Sequence, residues 1–467
     1  LPDSIQLVLA NMRKAHLKQV SALLAVAIIS VSLGYAEIGK PLTLPEFQRH
    51  TLLNDMELVM LPATQAQVPF KLVVVNGAAF DPAGKWGLTY LTTRLLVEGG
   101  KDRAGQPLLA GLKSLGAELS YRVDWDAIWL EGVAPADKLT EALNILGQMV
   151  VQAQFDEEDF AQIRDRVRRD LEAKLGEPQF ATYERFLAEV YGSNPYGHLV
   201  RGTPATLAAI QLPEVKLQYR KLFIPNQAHL AFYYTGDEEA TFNALTRRWG
   251  SWVKGNPLPF SFRIAEPKLE TEIVILDRPL EESVCRWGTL GVSRDDGDAF
   301  ALRILAEYLI LSLPGWAAEV AASPQVRASA TVETRRMPGC VQINLQAPPG
   351  QIASYFRKFQ QTMAEIQQGS FSRDRFEEAK RLTFDEMKNA LGSQDALLRQ
   401  MLEASVYNVG IQYLLNYGLR LDRFTPESFQ ASVKEHLGGR GLTMVVAGPA
   451  EVLEAQLAGL GKVRLLN

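Results

Sequence analysis

The chain states the same plan twice, on either side of a proline-rich break. "PNQAHLAFYYTGDEE" from Pro225 and "GRGLTMVVAGPAE" from Gly439 each run from a turn through an apolar strand to a glycine beside a polar residue or proline. Each stands near the end of a half. Between the halves lies residues 254–267, a non-periodic stretch with Pro257, Pro259 and Pro267 that reads as a linker. A chain of 467 residues exceeds what one core usually serves. The repeat resolves it into two tandem related α+β domains, residues 45–253 and 268–467, each of an ordinary domain size. Apolar runs predict strands over 56–61, 70–75, 123–133 and 228–234, with helical spacing over 87–98, 108–115, 137–154 and 157–175. The second half predicts strands over 273–276, 285–290, 341–345 and 442–447, and helices over 299–311, 352–368 and 373–391.

The first residues read as an address. Arg13, Lys14 and Lys18 precede an uncharged, mostly apolar run over 20–33, and Gly34-Tyr35-Ala36 puts small residues at a cleavage position. Residues 12–36 are expected to be a signal peptide, with 1–11 an upstream extension. The run falls short of the about 20 apolar residues of a comfortable span, and no other stretch is expected to reach spanning length. The mature protein is expected in a periplasm or outside the cell.

Composition narrows the classes. Lys and Arg number 49 against 53 Asp and Glu, so no basic excess points to nucleic acid. Two cysteines cannot build a thiolate zinc site or a disulfide framework, although an exported chain permits a Cys285–Cys340 bridge. The five histidines are scattered without a His-x3-His pair, which argues against a histidine-rich metal centre. His198 reads as a turn residue and His229 as a core or edge residue. The basic run Arg164, Arg166, Arg168 and Arg169 reads as a solvated helix face, and Trp86, Trp125 and Trp129 as core or interface.

One segment is more specific. "FKLVVVNGAAFDPAGKWGLTYLTTRLLVEGG" resembles the part of insulinase/pitrilysin-type zinc peptidases in which an apolar strand, a Gly-small-Phe/Asp-Pro turn and a glycine lead into a helix bearing His-x-x-Glu-His. "LKSLGAELSYRVDWDAIWLEG", with Asp126, "NPYGHLVRGTPATLAAIQ" and "YRKLFIPNQAHLAFYYTGD" are similar to further blocks of that family, in order and at plausible spacing. The resemblance covers most of residues 45–237 and extends more loosely to the second half. It implies that each domain is a mostly antiparallel sheet with helices packed on one face, half of a clam-shell metallopeptidase.

The family's catalytic residues are missing. Counted from Gly87, the motif positions hold Tyr90-Leu91-Thr92-Thr93-Arg94: Tyr90 and Arg94 for the histidines, Thr93 for the water-activating glutamate. The register of the third ligand, a glutamate about 76 residues on, falls at Asp170. Tyrosine is a poor zinc ligand at neutral pH, a guanidinium repels a dication, and a threonine hydroxyl is no general base. A single carboxylate does not hold zinc, so no catalytic residue and no metal ligand set is expected. Tyr90, Thr93 and Arg94 share a helical face; Arg94 is expected either to reach Asp170 where the metal would lie or to pair locally with Glu98. In the second half, the family's substrate-gripping Arg and Tyr, seven residues apart, fall at Ala321 and Ala328, with Arg327 adjacent.

The resemblance therefore implies an exported, non-catalytic homologue that partners a zinc-bearing subunit in a heterodimer around a peptide-processing chamber. Zinc is expected only in the partner, peptides are the substrates, and neither nucleic acid nor a membrane span is expected after signal removal. The alternatives are a structural scaffold, a stand-alone peptide-binding protein, or a peptidase with a displaced site.

Overall fold

The computed structural model describes residues 38–320 and 326–466. The expected signal segment, the upstream extension and Ala321 lie outside the described residues.

Two six-stranded sheets repeat one topology. In the first half the strands are β1 (Gln48–Thr51), β2 (Glu57–Pro62), β3 (Gln67–Val75), β4 (Glu118–Val123), β5 (Ala127–Pro135) and β6 (Ala228–Tyr234). The second half has β7 (Glu272–Asp277), β8 (Ser283–Leu290), β9 (Arg327–Val332), β10 (Cys340–Ala347), β11 (Thr443–Gly448) and β12 (Lys462–Leu466). Their orders are β1-β2-β6-β3-β5-β4 and β12-β7-β11-β8-β10-β9. Dropping the outermost β1 and β12 leaves the same five-strand order, with the one parallel step at β2-β6 and at β7-β11. All other pairings in the first sheet are antiparallel. Residues 254–267 carry no helix or strand.

The two halves each place a helix on the other's sheet. The Pro178–Tyr191 helix, from the first half, packs on β8 and β11, where Arg286 of β8 lies over the Tyr183 ring at 5.0 Å. The Gln394–Val406 helix, from the second half, packs on β3 and β6. This explains the burial of β3, whose residues Val68 to Val75 are buried on both faces. It also explains a lysine in that run. Lys71 is 1% exposed and lies 2.7 Å from the Asp395 carboxylate on the borrowed helix and 3.4 Å from Glu131, its cross-strand partner on β5. Burying an ammonium is tolerable only with such partners. The helix expected over 299–311 runs on to Glu319 through Pro314. By length and composition this apolar helix could cross a membrane, contrary to the expectation of no further candidate, but most of it is buried as a core helix.

Candidate functional site

The site grows from the loop after β3. Asp81 turns its carboxylate onto the start of the Leu88–Gly99 helix, accepting the Gly87 N–H at 2.7 Å, the Thr89 N–H at 2.8 Å and the Thr89 hydroxyl at 2.6 Å. Burial pushes this carboxyl up to about 7, against the pull of those donors. Gly87 precedes the helix with φ of +93°, and Gly202 (φ +73°) lies against it. A Cβ on Gly87 would stand 2.6 Å from the Arg201 carbonyl oxygen; on Gly202 it would stand 2.0 Å from that of Trp86. This backbone contact holds the 198–203 loop over the helix start. There the Arg201 guanidinium lies 5.1 Å from the centre of the Tyr90 ring, and His198 stacks on Trp86.

Tyr90, Thr93 and Arg94 lie on the Leu88–Gly99 helix, and Asp170 faces Arg94 from the Glu157–Leu175 helix. Tyr90 is buried and Thr93 fully so; the Thr93 hydroxyl donates back to the Thr89 carbonyl at 2.9 Å. Arg94 donates through Nε to Glu98 Oε1 at 2.8 Å and places Nη1 3.5 Å from Asp170 Oδ2 on the Glu157–Leu175 helix. Both expected pairings therefore coexist. Glu98 also accepts the Tyr121 hydroxyl of β4 at 3.1 Å and lies 3.5 Å from Arg166. Burial opposes the charge on Arg94, but Tyr121, Glu98 and Tyr90 more than offset it and hold its pKa above the ordinary value.

These donors do not fit a zinc ion. A buried hydroxyl committed to a backbone carbonyl, a phenol, a guanidinium and one half-exposed carboxylate offer no set of three lone-pair ligands. The cation at the centre is a side chain. The Arg94–Asp170 pair is half exposed and longer than the Arg94–Glu98 bond, so a cycle of Arg94→Ala, Asp170→Ala and the double variant should give a coupling of only about 0.2–0.5 kcal/mol by urea unfolding. Strict additivity would show that the two do not interact. Next to this group, β4 is an edge strand: among the described residues its one strand partner is β5.

Elsewhere the expectations fare differently. Ala328 and Arg327 fall on β9, the edge strand of the second sheet, where Arg327 is exposed and 3.9 Å from Glu282. Among the described residues, no hydrogen bond or ion pair joins β9 to the Arg94 group. The Cys285–Cys340 bridge is ruled out by register. Cys285 opposes Leu345 and Cys340 opposes Leu290, which sets them five positions apart along adjacent strands. At about 3.3 Å per residue that separation is more than twice the about 7 Å that a disulfide can span. Both are free, buried thiols, with Cys340 pushed up to about 12 by burial. The described residues do hold one grouping of metal-ligating type, Asp296, Asp298 and His436. There His436 Nε2 lies 2.8 Å from Asp298, which also accepts the Ser432 hydroxyl at 2.9 Å.

One cluster escaped sequence reasoning. The Asp126 and Pro195-Tyr196-Gly197 blocks meet the second half. Asp126 accepts the Tyr196 hydroxyl and, at 3.3 Å, the Arg336 N–H, while Arg335 lies 4.6 Å from the centre of the Trp125 ring. The doubled arginine before Met337-Pro338-Gly339 was the available signal. Burial and the neighbouring Asp124 push the Asp126 carboxyl up to about 6. The unfolded carboxyl releases its proton near pH 4, so between about pH 4 and 6 the folded state binds more protons and this group's contribution to stability falls as pH rises. Asp126→Asn should flatten that part of the stability profile, by about 1–2 kcal/mol across the window. An unchanged slope in urea titrations at several pH values would contradict the assignment.

Comparison with known proteins accords with this architecture. A sequence model of insulinase, peptidase family M16, matches residues 58–204, and one of the peptidase M16 inactive domain matches residues 209–383. An uncharacterized zinc protease of Rickettsia bellii is 19% identical over 194 residues, 42% of this chain and 47% of that protein. Another from Rickettsia felis is 19% identical over 193 residues, 41% of this chain and 47% of that protein. The matches thus span about half the length of these relatives. A peptidase M16 inactive domain from Pseudomonas fluorescens superposes with TM-score 0.77 at 20% identity, covering 86% of this chain and 98% of that one. A protease from Helicobacter pylori gives 0.79 at 14% identity, covering 87% and 100%. A chain of complex III2 from Candida albicans gives 0.72 at 14%, covering 87% and 97%. From its two matched regions and its paired sheets, the chain belongs to the insulinase family of peptidases, family M16.

Proposed function

We propose that this chain is an exported, non-hydrolytic member of the family that pairs with a zinc-bearing homologue and completes a peptide-processing chamber. The observation that carries the reading is the Arg94 guanidinium, held by Glu98 and Asp170 at the position that the sequence register gives to a zinc ligand. There Tyr90, Thr93, Arg94 and Asp170 stand in place of two histidines and two glutamates. The replaced set keeps a positive charge without an open coordination position, so water activation by metal has no seat at these four positions. What remains is suited to holding a peptide. The free edge of β4 can pair with an extended chain, and the Arg94, Arg166 and Glu98 charges lie beside it.

The signal-like residues 12–36 support export, and the zinc belongs to the partner. The loss of both gripping positions, Ala321 and Ala328 in our register, favours a second reading, a structural scaffold without a peptide role. Affinity purification of the tagged chain from its native compartment separates them. An equimolar homologue that carries zinc, with peptidase activity that falls when this chain is withdrawn, is the expected result. A chain that elutes alone, without zinc or activity, overturns the pairing.

A further inference from the structure

Where the Pro178–Tyr191 helix of the first half lies on the second sheet, it leaves a cavity of about 250 Å³ against β8, β10 and β9. For scale, a cavity of about 150 Å³ holds a benzene ring. Strand register sets its floor. Arg286 on β8, Asn344 on β10 and Ser329 on β9 stand side by side across the three strands. Gln346 and Arg327 follow two positions along on the same face, because side chains alternate along a strand. The helix contributes Gln179, which is exposed in its first turn, at the positive end of the helix dipole.

The lining holds two guanidiniums and no carboxylate. Arg286 is half-buried, so a solute in the cavity can reach it. Its guanidinium is held 5.0 Å from the centre of the Tyr183 ring and 6.0 Å from that of Phe186, and its Nη1 donates to Gln342 Oε1 at 2.9 Å. Among the described residues its Nη2 donates no hydrogen bond, and no carboxylate is within ion-pair distance of it. Burial holds its pKa below the ordinary value, and the neighbouring Glu333, engaged by Arg335 at 2.7 Å, does not offset that. Arg327 is exposed, with Glu282 3.9 Å away; Glu282 also accepts from Gln346 at 2.7 Å. Two guanidiniums thus share one carboxylate, and the cavity is one negative charge short.

We propose that this cavity binds a small hydroxylated monocarboxylate, with the carboxylate on Arg286 Nη2, its hydroxyls toward the exposed Ser329 and Gln179, and Arg327 over the open side. A guanidinium fork matches a planar carboxylate, a single charge closes the shortfall, and a polar body suits hydroxyl and amide side chains. One wall comes from each half, so the ligand binds only while the helix is seated on the sheet, and it stabilises that seating. The site does not depend on the partner reading.

The test is calorimetric titration of the whole chain with D-gluconate, with Tm followed in parallel. The expected result is saturable binding at low-millimolar ligand or below and a Tm that rises with its concentration. Sorbitol, which keeps the hydroxyls and lacks the charge, should bind about tenfold more weakly or not at all. Arg286→Gln should weaken gluconate about tenfold. Ser329→Trp, a bulky change on the edge strand, should block the cavity without touching either charge; should Arg286→Gln fail to fold, this variant decides. Absence of saturable gluconate binding, equal binding of sorbitol, or full affinity in either variant overturns the proposal. Inorganic phosphate bound as tightly as gluconate would show a site for any anion and overturn the carboxylate assignment.

Discussion

Gly202→Ala is expected to destabilise the protein by about 3–5 kcal/mol, at the top of the range for single substitutions. The new Cβ would stand 2.0 Å from the Trp86 carbonyl oxygen and 2.8 Å from the Thr206 hydroxyl. The first of these obstacles is backbone, which cannot swing aside as a side-chain tip can. Relief means parting the 198–203 loop from the start of the Leu88–Gly99 helix. That would also lift Arg201 from Tyr90 and strip the Trp86 carbonyl of the Thr206 hydroxyl, now 2.7 Å away. Gly84→Ala is the control. Gly84 has a comparable φ of +76° but nothing within 4 Å of the added Cβ, so only backbone strain of about 1–2 kcal/mol applies. Urea unfolding of the two variants decides the matter, and equal losses would show that the glycine contact holds nothing together.

The second large effect is a gain. The combined Tyr90→His, Thr93→Glu, Arg94→His and Asp170→Glu variant should bind zinc stoichiometrically, with affinity roughly a thousandfold or more above the wild type. Arg94 and Asp170 already face each other across 3.5 Å between two helices, and Tyr90 lies one turn from Arg94 on the same face. Exchanging the guanidinium for an imidazole removes the repelling charge, and two imidazoles with a carboxylate make a three-ligand set with an open fourth position. A zinc-dependent rise in Tm reports the same event from the folding side. Because Thr93 is fully buried, the Tyr90→His and Arg94→His pair, with Asp170 native, is the milder variant. Failure of both to take up zinc would mean that the register is wrong.

The sequence made the duplication and the shared face of Tyr90, Thr93 and Arg94 legible, because each rests on local order or period. What it left unread depends on long-range partners. No local pattern shows that the Pro178–Tyr191 helix serves the other half's sheet. Lys71 sits in an apolar run, and its partner Asp395 lies on a helix more than 300 residues away in sequence. Short edge strands such as β1, β9 and β12 carry little apolar alternation and were missed. The Asp126 and Tyr196 blocks stood out as motifs, yet their partners Arg335, Arg336 and Met337 belong to the second half, so their role in joining the halves emerged only in three dimensions. The cysteine pair failed for a related reason: an exported chain permits the bridge, but the strand register that forbids it is set by long-range pairing.

This chain is expected not to hydrolyse peptides through a metal of its own. Zinc content and peptide hydrolysis, measured on the isolated full chain after dialysis against zinc, with and without a chelator, decide the matter. Substoichiometric zinc and no chelator-sensitive cleavage are the expected result. One zinc per chain with chelator-sensitive hydrolysis would contradict it.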